Sequence, residues 1–231
     1  IHVVVRKGTE GILVGCPEIS TIHTAGDKSG EKGARLRRDL ALVRRLWQEK
    51  FAVAIELGDG DRGRFLALAC GAPRRFANTT AIRSWYWKRI FAGAPSVLRA
   101  GKHAALWDLE VVRAAFPEIP ENIIPSPVFV RERAVAPAIT PTGMAPIFIH
   151  PVASRPGKLW SINGWIKVAR FALDLGRPVI LSSGPAPHEV DMCHKIAKAI
   201  PSERVFVTKG TLDWAQVAGL LFHAAAYVGT D

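Results

Sequence analysis

Between residues 147 and 229 the sequence alternates four short apolar runs with three segments of helical period, and nothing else so narrows what the chain can fold into. The runs are "IFIH", "RPVILSS", "RVFVT" and "AAYVG". Helical stretches lie between them, from about Gly164 to Leu175 with Gly176 closing it, from about Glu189 to Ile200, and across "LDWAQVAGLLFHA". Strands of this length that return through helices require parallel pairing with right-handed crossovers, which is a doubly wound, Rossmann-like domain.

The first 130 residues alternate in the same way with less regularity. "RLRRDLALVRRLWQEK" has helical period, with Leu40, Val43, Leu46 and Trp47 assigned to one face, and "FAVAIEL" reads as a buried strand. "DRGRFLALACGAPRRFA" reads as a short helix ended by Gly71, and "LWDLEVVRAAFP" as a helix stopped by Pro117. "TTAIRSWYWKRIFAGAPS" fits neither period. The three prolines of "FVRERAVAPAITPTGMAP" mark a linker, so the expected division is 1–132, a linker at 133–145, and 146–231. The chain opens on the strand-like "IHVVVRKG" and stops at "AAAYVGTD", so both domains are expected to be truncated.

At 231 residues and 48% hydrophobic, the chain has enough apolar surface for one large core or two modest ones. No apolar run approaches the roughly 20 residues that span a bilayer, and the N-terminus lacks the order of a signal peptide, so a cytoplasmic setting is expected. Cys16, Cys70 and Cys193 lie far apart without CxxC or Cys/His spacing; they are read as buried thiols rather than a disulfide framework or zinc site. No GxGxxG follows a strand and no GxxxxGK[ST] occurs, which argues against a dinucleotide dehydrogenase or a P-loop enzyme.

The formal net charge of +11 draws such a chain to polyanions. It is concentrated: from Arg62 to Trp107 there are nine Lys and Arg residues and no Asp or Glu. With Trp85, Tyr86 and Trp87 at its centre, that stretch suits an anionic membrane face carrying a phosphorylated glycolipid, for which Arg62, Arg64, Arg83, Lys88 and Arg89 are the candidate contacts. The same stretch also fits a nucleic-acid-binding module, although no helix-turn-helix, zinc finger or RNP-like pattern accompanies it.

In an open parallel sheet the loops leaving the strand C-termini line the ligand edge. Here they are His150 to Trp160, Ser183 to Glu189, Lys209 to Thr211, and Thr230 with Asp231. Lys158 thereby stands on that edge just before a helix, whose free N–H groups already favour an anion. Trp160 and Trp165 are assigned to the core, Ser161 or Asn163 to a helix N-cap, and Glu189 to a first helical turn. His150, His188 and His223 have no metal spacing and are read as isolated histidines.

"HPVASRPGKLWSINGWIKVARFALDLGRPVILSSGPAPHEVDMCHKIA" with "KGTLDWAQVAGLLFHAAAYVGTD" resembles the C-terminal domain of the heptosyltransferases, the family 9 glycosyltransferases of lipopolysaccharide core synthesis. "LRRDLALVRRLWQEKFAVAIELGDGDRGRFLALACGAPRRFA" is similar, less specifically, to the family's acceptor domain. The resemblance implies a GT-B fold of two Rossmann-like domains and an inverting, metal-independent transfer of heptose from an ADP-sugar donor, without a cofactor, at the inner face of the cytoplasmic membrane. Ser154 would match the hydroxyl residue at the donor diphosphate, Lys158 the lysine that pairs with its charge, and Glu189 the glutamate near the nucleotide ribose. Asp231 would open the Asp-Thr-Gly-Xaa-Xaa-His donor motif, and Lys209 and Gly210 would fall in the loop passing the adenine. Ser161 and Asn163 stand where the family often has proline and glutamate. The family's catalytic base would precede Ile1. A GT-B enzyme with another nucleotide-sugar donor, such as a UDP-sugar, stays open beside this reading.

Overall fold

The computed structural model describes residues 1–26, 32–79, 84–91, 101, 103–125, 134–135, 137–139, 141, 143–153 and 155–230. The chain divides into two compact units, residues 2–7 with 23–128, and residues 1 and 8–22 with 129–231.

In the first unit β1 (His2–Arg6) pairs with β2 (Thr21–Ala25), and α1 (Lys32–Gln48) leads to β3 (Val53–Glu56). α2 (Asp61–Ala69) then crosses to β4 (Arg74–Ala77), which runs parallel to β3 with Val53 opposite Arg74 and Glu56 opposite Ala77. α3 (Trp85–Ile90) and α4 (Ala104–Ala115) follow. Gly71, with φ at +76°, ends the α2 turn as the sequence suggested.

The buried face of α1 is rotated from the expected one. Leu42 and Leu46, one turn apart, pack on Cys70 and Ala72, whereas Leu40 and Trp47 are exposed. Two apolar stripes share this helix, and only the tertiary partner decides which is covered. β4 is a strand that the sequence reading merged with the preceding helix, because Arg74 and Arg75 mask its apolar end. Their guanidinium groups find main-chain partners: Arg74 donates to the Ala115 carbonyl at 2.7 Å, and Arg75 to the Ala72 carbonyl.

In the second unit β5 (Ile147–His150), α5 (Ile162–Asp174), β6 (Val179–Leu181), α6 (Pro187–Ala199), β7 (Val205–Val207), α7 (Trp214–His223) and β8 (Ala226–Gly229) realise the expected alternation. The sheet order is β7-β6-β5-β8 and every pairing is parallel. Successive side chains of a strand point to opposite faces. Ile149, Val179 and Leu181 accordingly meet Trp165 and Ala169 of α5 and Cys193 and Ile196 of α6, while Phe148 and Ile180 meet Leu220 of α7. Burial on both faces explains the unbroken apolar runs, and each fully buried Val, Leu, Ile or Phe contributes roughly 1.5–3 kcal/mol.

Helix ends here are set by short-range chemistry. The Ser161 hydroxyl caps α5 by accepting from Gly164 N at 3.1 Å, Gly176 ends it at φ +78°, and Asp213 with Gln216 forms a capping box on α7. Trp165 is buried as expected, but Trp160 is half exposed, packed edge-on against Trp165 at 5.2 Å and lying over Gly164. Of the cysteines, Cys70 and Cys193 are buried; Cys16 is not, and its thiol donates to Glu18 at 3.0 Å. Among the described residues no helix is long and apolar enough to cross a membrane.

Candidate functional site

The C-terminal edge of the four-stranded sheet gathers polar groups that its apolar strands lack. β6 runs into Ser182, Ser183 and Gly184, and β7 into Thr208, Lys209 and Gly210. These two connections touch. Ser183 N donates to the Thr208 hydroxyl at 3.4 Å, and Gly210, at φ +67°, lies so close to the Gly184 carbonyl that a Cβ there would overlap it. Only glycine satisfies both demands.

Glu189, in the first turn of α6, folds its carboxylate back over Gly184, where an added Cβ would stand 2.5 Å from Oε2. The helix N-terminus stabilises the carboxylate. His150, the last residue of β5, lies near enough to feel it. Burial pushes the His150 imidazole below its ordinary pKa, opposed by the Glu189 charge and by a hydrogen bond with the Ser182 backbone. Burial pushes the Cys193 thiol up to about 12, the neighbouring Ser183 hydroxyl opposing this and the Glu189 charge adding to it. That thiol is no nucleophile near neutral pH.

On the neighbouring connections, the Thr230 hydroxyl donates to the Val152 carbonyl at 2.7 Å, tying the end of β8 to the start of the β5–α5 connection. Lys158 closes a 3-10 turn, Pro156–Lys158, four residues before α5, and is exposed. Lys209 is exposed in a left-handed conformation at φ +55°. The structure therefore joins Glu189 and Gly210 through Gly184, with Lys209 beside them and Lys158 on the β5–α5 connection of the same edge. Ser154 and Asp231 lie outside the described residues. A backbone floor, a fixed carboxylate and lysines near helix N-termini can receive a polyol and an anion on one ligand.

The sequence places His150 and Gly184 in loops of the ligand edge without assigning either a contact. The signal for Gly184 was present: a glycine directly after a strand, at a position where ligands approach the backbone. His150 also stands at a strand end on the ligand edge, but its partner Glu189 is distant in sequence, so the pairing is not legible there.

The basic stretch of the first unit does not all face outward. Arg64 does not face an acceptor or a membrane. It is buried, with Nη1 3.0 Å from Asp61, Nη2 2.9 Å from the Asp59 carbonyl and Nε 3.8 Å from Glu56. Acids just upstream of the acid-free run fold onto it, so an acid-free sequence is not an acid-free surface. Arg62 pairs with Asp39 at 2.8 Å, Lys88 and Arg89 are exposed on α3, and Arg83 lies outside the described residues.

The model of glycosyltransferase family 9 (heptosyltransferase) matches residues 40–231. The chain belongs to glycosyltransferase family 9. Its fold is that of the GT-B enzymes of this family. A family 9 glycosyl transferase from Veillonella parvula DSM 2008 superposes at TM-score 0.77 with 15% identity, covering 99% of this chain and 65% of that one. E. coli heptosyltransferase WaaC with ADP gives 0.76 and 16%, and E. coli ADP-heptose lps heptosyltransferase II gives 0.75 and 15%, each covering 100% of this chain and 70% of the other. The chain thus spans about two thirds of the length of these family members. A search of curated proteins returned no match.

Proposed function

We propose that the protein is a heptosyltransferase that moves a heptose from ADP-heptose to an anionic glycolipid acceptor, the lipopolysaccharide inner core, at the cytoplasmic side of the membrane. The observation that carries this reading is the fixing of the Glu189 carboxylate over Gly184 at the crossing with Gly210, on the sheet edge that also bears Lys158. Glu189 would accept from the ribose hydroxyls, and Lys158, with Ser154 and the α5 N-terminus, would meet the diphosphate. Lys209 and Gly210 would border the base, and Asp231 the sugar-proximal end.

In the transfer the acceptor oxygen forms a bond to the anomeric carbon as the bond to the ADP oxygen breaks, inverting that centre. The hydroxyl proton passes to a base, and negative charge collects on the departing diphosphate. Fixed positive charge placed where that charge develops lowers the barrier, so this reading requires no metal. Lys158 is the residue assigned to that task.

Isothermal titration with ADP and UDP tests the reading. ADP binds, and Lys158→Ala weakens it about tenfold or more, the loss of one charge-assisted contact. Preference for UDP would move the protein to another GT-B donor. Indifference to both nucleotides, with salt-sensitive binding of single-stranded DNA, would favour the nucleic-acid module.

A further inference from the structure

The geometry points to a docking surface for an anionic lipid bilayer on the first unit, built by α2 and α3, with Phe65, Leu68, Trp85 and Tyr86 as the inserting groups and Lys88 and Arg89 as the headgroup contacts. This rests on the glycolipid-acceptor reading above and gives it a physical seat.

α3 has only six residues and could not hold itself together in water. Its anchor is Trp87, 1% exposed, whose indole N–H donates to Asp61 at 3.0 Å and whose ring packs with Phe91. Around that buried ring three others remain in solvent: Trp85 is 70%, Phe65 59% and Tyr86 42% exposed. They form a continuous series of ring contacts, Phe65 to Trp87 at 4.9 Å, Trp87 to Tyr86 at 5.1 Å and Tyr86 to Trp85 at 6.3 Å. Leu68, one turn along α2 from Phe65, is also exposed and extends the apolar patch.

An exposed aromatic cluster held rigidly from beneath needs an explanation in any soluble protein. Its electrostatics choose the partner. Lys88 and Arg89 are exposed on the same short helix, and the Arg89 guanidinium stands 5.9 Å from the Trp85 ring centre. Amphipathic aromatics beside cations are what the headgroup layer of an anionic leaflet accepts. The rings meet at tilted and edge-on angles, between 46° and 87°, which offers a wedge to lipid rather than parallel platforms for successive bases.

The test is flotation of the 231-residue chain with vesicles of phosphatidylcholine alone and with about a third phosphatidylglycerol, at low salt. The chain should bind the anionic vesicles and not the neutral ones. Trp85→Ala and Phe65→Ala should each weaken binding several-fold, and Lys88→Gln with Arg89→Gln by about 25-fold, roughly fivefold per cation. The glutamine pair changes only exposed groups, so it keeps the fold, checked by circular dichroism, and stays informative if an aromatic variant misfolds. Equal binding to both vesicle types, or no response to any variant, overturns the proposal. So does a patch occupied by nucleic acid or a second copy, seen as DNA binding or dimerisation that these variants alone abolish. Vesicle binding is read without a donor; its failure with ADP binding intact sinks only this surface, and the reverse sinks only the transferase reading.

Discussion

Arg64 and Glu56 face each other inside the first unit, Nε 3.8 Å from Oε2, with only 5% and 4% of their side chains exposed. A pair so buried offsets its own desolvation only while both partners and their hydrogen bonds remain. Arg64 also holds Asp61, which in turn receives the Trp87 indole, so one guanidinium links β3, α2 and α3.

Arg64→Met should therefore destabilise the first unit by about 3–5 kcal/mol, read as a lower urea midpoint, because it takes the guanidinium charge away from the buried Glu56 carboxylate. Adding Glu56→Gln should recover part of the loss. A single-variant effect below about 1 kcal/mol would show that solvent reaches this pair and that its geometry matters little.

Gly210→Ala should weaken ADP binding at least tenfold while leaving the strands in place, since the new methyl group must displace the Gly184 connection under Glu189. The positive φ adds a stability cost of about 1 kcal/mol or more. Titration of ADP beside a thermal melt separates the two effects; unchanged affinity would detach the loop crossing from the nucleotide.

Thiol titration with a disulfide reagent near pH 8 should modify Cys16 quickly in the native protein and leave Cys70 and Cys193 untouched until denaturant is added. Burial excludes the reagent from both of these, and the Cys193 thiol is further disfavoured as thiolate, its pKa being about 12. Fast native labelling of two or more thiols would mean that a buried helix opens readily.

Acidification should destabilise the protein through His150. Burial holds its folded pKa below the ordinary value near 6.5, so between those two values the unfolded chain binds more protons than the native one. Stability should fall as the pH drops below about 6.5 and stop falling, for this group, once the native imidazole is protonated. His150→Gln should flatten the melting temperature between about pH 7 and pH 5. His23, whose pKa burial also lowers, leaves a residual slope of the same sign.

The doubly wound second unit was legible because buried parallel strands and their helices write their periods directly into the sequence. Gly71, Gly176 and Ser161 marked helix ends through local backbone chemistry alone. What was not legible depended on partners far apart in the chain. The choice between two stripes on α1, the strand behind Arg74 and Arg75, and the inward turn of Arg64 are each decided by what packs on them. The site divides in the same way. The position of Glu189 at a helix start could be read; its closure over Gly184, and the approach of Gly210 to that loop, could not.

Phe65, Trp85 and Tyr86 stand exposed around the buried Trp87. Apolar surface of that kind is a seat for lipid and equally a place where a second copy can stick. In dilute buffer the surplus of eleven positive charges keeps copies of the molecule apart; added salt removes that repulsion. Purification is then a choice between opposing hazards, since the salt that strips bound polyanions from this protein is the salt that lets its exposed rings find one another.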